Sequence, residues 1–118
     1  MTRIYLVRHG TTDWNKEEIF RGRAECRLNE TGQEEARALV AYFQDIPIAS
    51  ITSSPLSRAM GTANPTAESK GLPVIPDPAF TDIDFGQWQG LRVQEVQEEF
   101  PDLYRLWRED PGAVSFPQ

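Results

Sequence analysis

Leu6-Val7-Arg8-His9-Gly10 stands at the end of the first predicted strand, and the rest of the chain is read outward from it. Residues 3–8 are read as a buried parallel strand, because Ile4, Tyr5, Leu6 and Val7 form a short continuous apolar run. Such a strand delivers His9 to the C-terminal edge of a sheet, where open α/β folds bind their ligands. His9 is the only histidine of the chain, and an arginine directly precedes it. The planar guanidinium of Arg8 suits phosphate, since its fork donates two parallel hydrogen bonds. An imidazole beside a captured phosphate can attack phosphorus and become phosphorylated, which makes phosphoryl transfer the leading chemistry. Taken alone, a lone histidine is more often a structural or surface residue than a nucleophile. The residues downstream of His9 reverse those odds.

Thr11-Thr12-Asp13-Trp14-Asn15 forms a polar turn directly after it, rich in side chains that suit irregular backbone. Leu28-Asn29-Glu30-Thr31-Gly32 comes next. Ser54-Pro55-Leu56-Ser57-Arg58-Ala59 follows a second predicted strand. Last, Asp82-Ile83-Asp84 leads into Phe85-Gly86-Gln87-Trp88-Gln89-Gly90-Leu91. In this order and spacing, the array resembles the histidine phosphatase superfamily, the phosphoglycerate mutase-like phosphatases. The resemblance runs almost from end to end. It implies an α/β fold, a three-layer sandwich with a mostly parallel sheet.

The resemblance also implies roles for individual residues. His9 is the expected nucleophile, passing through a phosphohistidine intermediate, and must be unprotonated on its attacking nitrogen. Neighbouring guanidinium charges favour that neutral form by disfavouring a second positive charge. Arg8 and Arg58 are the expected phosphate clamp, stabilising the charge on the transferring oxygens. Without the motif, Arg58 reads as a solvated residue in the first turn of a helix. Asn15 resembles the family's phosphate-contacting amide, and Arg21-Gly22 the short segment that approaches substrate. Asp82 is the expected general acid, a task usually supported by partial burial or a negative neighbour. The family more often has glutamate there, so aspartate shortens the donor's reach by one methylene. Asp84 is the alternative acid, or the negative neighbour of Asp82. Trp88, between two glycines, reads as a packing anchor in a tight loop rather than a substrate-stacking residue, Trp14 poses the same choice, and Trp107 reads as core.

Composition sets wider bounds. The chain has 118 residues, enough for one domain with a moderate core. A net charge of −6 argues against nonspecific binding to nucleic acid or anionic membrane, so neither is an expected partner. Ten of the twelve basic residues are arginine, which permits a local cluster that outweighs distant, screened carboxylates. Cys26 is the sole cysteine, excluding an internal disulfide and a cysteine metal cluster, and it reads as an idle thiol. One histidine and scattered acids make no ligand set, so no metal and no cofactor are implied. No apolar run approaches membrane-spanning length and no signal-peptide layout opens the chain, so cytoplasmic residence is expected.

The remaining elements are read from periodicity and punctuation. Thr31-Gly32-Gln33-Glu34 fits a capping box. Ala36, Leu39, Val40 and Phe43 then mark one apolar stripe of a helix ending near residue 44. Ile48 to Thr52 is a second strand, completing a right-handed βαβ unit with the first. Ser54-Pro55 opens the next helix as N-cap and first residue, and Pro65 predicts a kink or stop near Asn64. Gly71 separates that helix from a short strand over Pro73–Ile75. A helix is expected over 92–99, Pro101 starts another, and from Pro111 the chain reads as loop.

The chain also departs from the family pattern. The family has a second catalytic histidine after a later strand, which this sequence lacks, and its domain is substantially longer. Residues 1–118 therefore read as a single incomplete histidine phosphatase domain, truncated at a loop. Two functions are expected. One is a phosphomonoesterase acting on a small-molecule phosphate ester, with a phosphoglycerate mutase-type phosphotransferase as the variant. The other is a catalytically incomplete phosphate-binding fragment or scaffold. A sheet lacking its later strands should self-associate through an exposed edge.

Overall fold

The computed structural model describes residues 1–118 and divides them into two compact units. The first comprises Met1–Thr12 and Cys26–Thr81, the second Asp13–Glu25 and Asp82–Gln118. No helix is long and apolar enough to cross a membrane.

The first unit is α/β. Helix α2 (Glu30–Tyr42) follows a short helix α1 (Asp13–Lys16) that belongs to the second unit. Strand β1 (Ile51–Ser53), helix α3 (Ser57–Lys70) and strand β2 (Val74–Pro76) come next. The two strands pair in parallel, Ile51 with Val74, Thr52 with Ile75 and Ser53 with Pro76. Asp77 N donates to Ser53 O at 2.8 Å, carrying the ladder one residue further. Parallel neighbours need a crossover, and α3 supplies it.

Helix α2 starts earlier than the capping box predicts. Asn29, not Thr31, is its N-cap, with its side-chain oxygen accepting from Gly32 N at 2.9 Å. Ala36 and Phe43 of the expected stripe are buried, and α2 packs on α3. Helix α3 also corrects the sequence reading. It opens at Ser57 after Leu56, rather than at Pro55 after a Ser54 cap, because Ser54 Oγ accepts from Leu56 N at 3.2 Å and closes a turn there. Nor does it stop near Asn64. A helix-interior proline loses one hydrogen bond and crowds the carbonyl four residues back, costing about 3 kcal/mol. Buried Thr62, Thr66 and Ala67 on either side of Pro65 supply packing to offset that. The helix runs to Lys70 and ends at Gly71 in the left-handed region, φ 65°, where Leu72 N reaches back to Ala67 O.

The expected strand over residues 3–8 does not form. Residues 1–11 lie in neither helix nor strand, and Leu6 is 91% and Ile4 76% exposed. An apolar run becomes a buried strand only where other strands flank it, and the sheet here is β1 with β2 alone. The segment is held instead by a side chain, the Tyr5 ring standing edge-on to Phe43 at 5.4 Å. The predicted first βαβ crossover is therefore replaced by β1–α3–β2. The strand expected over 48–52 narrows to Ile51–Ser53.

The second unit packs around aromatic rings. Trp88 and Val96 are fully buried with Phe85 beside them, and Phe20, Phe100, Leu103, Tyr104, Trp107 and Phe116 close around this centre. Helices α4 (Val93–Glu99) and α5 (Pro101–Glu109) stand where their periodicity puts them. The Trp88 anchor and the core role of Trp107 hold. Beyond Pro111 a single 3-10 turn, Pro111–Ala113, interrupts the expected loop.

Candidate active site

In the first unit the site grows from the contact between the N-terminal segment and the two helices. His9 is half-buried, and its Nδ1 lies 2.7 Å from the carbonyl oxygen of Gly10. A carbonyl can only accept, so Nδ1 carries the proton in the neutral ring and Nε2 carries the lone pair. The backbone itself thus selects the tautomer.

Gly10 N donates to Thr62 Oγ1 at 2.9 Å, and that hydroxyl donates to Arg58 O at 2.7 Å. One buried threonine thereby fastens the residue after His9 to the turn of α3 that carries Arg58. Arg58 is 2% exposed, not the solvated helix residue that its position alone suggests. Its Nη1 lies 3.8 Å from Cys26 Sγ. A guanidinium keeps its charge even when buried, so this part of the unit holds a fixed positive centre. Arg8 is exposed.

Glycine is required where the segment meets α2. A Cβ on Gly10 would stand 2.8 Å from Gly32 O, and a Cβ on Gly32 would stand 2.1 Å from Thr11 O. Backbone meets backbone there without room for a side chain.

Glu35, which no sequence motif singles out, faces the same segment. Its Oε1 accepts from Thr11 N at 2.9 Å and from Thr11 Oγ1 at 2.6 Å. The Thr11 hydroxyl, then its N–H, hold the Glu35 carboxyl below the usual value near 4.5, and the charge of His9 adds to this. The sign is that of a lowered acid: the tie contributes to the folded state above the ordinary glutamate pKa. It is lost as pH falls through the folded value.

The second unit holds the other expected site residues. Asn15 lies half-buried in α1, and Arg21 half-buried on the loop after it. Gly22 is buried with φ 53°, and a Cβ there would meet Gln89 Oε1 at 2.5 Å and Ile83 O at 2.7 Å. The Gln89 amide oxygen accepts from Arg23 N at 2.7 Å and Phe85 N at 3.3 Å, and Arg23 Nε donates to Asp82 O at 3.0 Å. Loop 21–23 is thus stapled to segment 82–89 inside this unit. Asp82 is exposed rather than partly buried, and its Oδ1 accepts from Ile83 N at 2.7 Å. Asp84 Oδ1 accepts from Gly86 N at 2.9 Å, which ties that carboxylate to the 3-10 turn Gly86–Trp88.

Of the expected residues, then, Arg8, His9 and Arg58 belong to the first unit and Asn15, Arg21, Gly22 and Asp82 to the second. Thr62 and Glu35 make contacts that no quoted motif announces, and Gln89, inside the Phe85–Leu91 motif, makes contacts that the motif reading left unassigned.

The sequence profile of the histidine phosphatase superfamily (branch 1) matches residues 4–118. The chain belongs to this superfamily. Among proteins similar to this histidine phosphatase superfamily member is phosphoserine phosphatase 1 of Hydrogenobacter thermophilus. It is 37% identical over 116 residues, which are 98% of this chain and 55% of that protein. The uncharacterized phosphatase PhoE of Bacillus subtilis is 37% identical over 102 residues, 86% of this chain and 53% of its own. Among solved structures, Bacillus stearothermophilus YhfR matches with a TM-score of 0.86 at 28% identity, covering 94% of this chain and 55% of that one. The alpha-ribazole phosphatase from Shigella flexneri matches with a TM-score of 0.86 at 27% identity, covering 93% and 55%. The chain spans about half the length of these two relatives. The superfamily member shares the phosphoglycerate mutase-like α/β fold of these neighbours.

Proposed function

We propose that this chain carries the phosphoryl-accepting part of a phosphomonoesterase, with His9 as nucleophile. The carrying observation is the 2.7 Å contact of His9 Nδ1 with Gly10 O, which puts the ring's lone pair on Nε2. In the proposed first step Nε2 bonds to phosphorus as the P–O ester bond breaks, and the leaving oxygen takes a proton from Asp82. In the second, Asp82 takes a proton from water as the water oxygen attacks phosphorus, the N–P bond breaks with its electron pair returning to Nε2, and inorganic phosphate departs. Arg8 and Arg58 serve the phosphoryl oxygens in both steps, with Asn15, Arg21 and Gly22 as further substrate contacts. These steps use protein side chains alone.

The reading takes residues 1–118 as part of one histidine phosphatase domain and a small cytoplasmic phosphate ester as substrate. Water is preferred over a second hydroxyl as acceptor because relatives at 37% identity bear phosphatase names. Both routes share the first step.

The test is release of phosphate from a generic aryl phosphate. Removing one preorganised donor to a developing anion typically costs about 10²–10³ in rate. Arg58→Ala is expected to lose activity on that scale, with Arg58→Lys intermediate, since a point charge cannot replace the fork. Circular dichroism checks that each variant is folded. No release by the folded wild-type chain, or equal release by a folded Arg58→Ala variant, contradicts the reading.

A further inference from the structure

Four contacts hold the backbone just past His9. Gly10 N rests on Thr62, Asn29 N donates to Thr11 O at 3.0 Å, Thr12 bridges to Leu28, and Thr11 gives both its N–H and its hydroxyl to Glu35 Oε1. Three of these use groups that do not titrate. The fourth uses a carboxylate, and it lies two residues from the nucleophile.

Glu35 has no charged partner on its own helix. Its neighbours one turn away on α2 are Thr31, Gly32, Ala38 and Leu39. The charged residues of α3, which packs on α2, are Arg58, Glu68 and Lys70, and those of the N-terminal segment are Arg3, Arg8 and His9. Among these His9 is the nearest in sequence to the residue Glu35 holds, two positions before Thr11. The side chain is therefore aimed along its helix face at the His9 segment and away from the usual i,i+4 partners.

We propose that Glu35 is a positioning residue for His9, clamping Thr11 through two hydrogen bonds and setting its negative charge beside the imidazole. It touches neither substrate nor phosphoryl group. It holds the backbone that presents the ring, and its charge favours the protonated imidazole over the neutral one. This rests on His9 being the nucleophile of the proposed reaction, but the coupling between the two side chains can be measured without that reaction.

Because His9 is the only histidine, its ring-proton resonance is unambiguous in a nuclear magnetic resonance titration. Glu35→Gln keeps an oxygen able to accept from Thr11 and removes the charge, whereas Glu35→Ala removes both. His9 is expected to titrate at lower pH in Glu35→Gln than in wild type, with the Thr11 amide resonance little moved. In Glu35→Ala the Thr11 amide resonance should shift as well. Misplacing a reacting group by about 1 Å can cost a hundredfold. Phosphohistidine formation is expected to fall by about tenfold or more in Glu35→Ala, and by less than about threefold in Glu35→Gln above the His9 titration. Identical His9 titrations in wild type and Glu35→Gln overturn the proposal. A displaced titration in a chain that never forms phosphohistidine supports the coupling and counts against the phosphatase reading instead.

Discussion

Alanine at position 32 is expected to destabilise the first unit by about 3 kcal/mol, at the upper end of what overpacking costs. The added Cβ would stand 2.1 Å from Thr11 O and 2.9 Å from Thr11 N. Both are backbone atoms, so no rotamer change relieves the clash and either α2 or the N-terminal segment has to move. Movement breaks more than the contact itself. Gly32 N is the donor to the Asn29 cap, and Thr11 is held by Glu35 one helical turn further along. For a unit of this size a loss of that order lowers Tm by roughly 12–24 °C. Thermal unfolding followed by circular dichroism reads the first number, and amide exchange at Gly10 and Thr11 reads the second effect. An unchanged Tm with full protection at Gly10 would show that the close approach of Thr11 to Gly32 is not a feature of the folded chain.

Trp88→Ala is expected to have an effect of similar size in the second unit. The ring is fully buried and stands 5.0 Å from Phe116 and 5.2 Å from Phe20, both edge-on. Emptying such a site costs about 3–5 kcal/mol, transfer and cavity together. Trp88→Phe separates shape from polarity. The indole Nε1 is buried without a hydrogen-bond partner, and an unmet donor costs about 1–3 kcal/mol. Phenylalanine loses some packing but also removes that donor, so it should cost less than about 1.5 kcal/mol. All three tryptophans, 14, 88 and 107, belong to this unit, so chemical denaturation followed by tryptophan fluorescence reports on it alone. Equal destabilisation by both variants would place the cost in the lost nitrogen and argue for a partner that the indole reaches in solution.

The motifs are legible because each is local. Arg8-His9-Gly10, Ser54 to Ala59 and Asp82 to Gly90 are short segments whose order alone marks the family, and period and proline placement define α4 and α5. The features hidden from the sequence are non-local. An apolar run at residues 3–8 looks the same with or without flanking strands, so the exposure of Ile4 and Leu6 has no signature in the run itself. Asn29 and Thr31 are both capable caps two residues apart. Asn29 prevails where Gly32, the residue it caps, is pinned against Thr11. Pro65 is tolerated because burial of α3 outweighs a local penalty, and local propensity cannot weigh the two.

Site residues show the same division. His9 and Arg58 announce themselves by motif, but Thr62 and Glu35 act across 52 and 24 residues of sequence. One signal for Glu35 is present. It sits three residues after Gly32, on the same helix face, and a glycine that meets another backbone marks the face nearest the His9 segment. Glu34 is the more conspicuous acid in the sequence, as the partner of a cap that α2 does not use.

The central claim is that His9 accepts a phosphoryl group, and intact mass after rapid, non-acidic quenching of a reaction with an aryl phosphate tests it most directly. One phosphoryl adduct on the wild-type chain, absent from His9→Ala, is the predicted result. No adduct on the folded wild-type chain, or an adduct that persists in His9→Ala, would contradict the account.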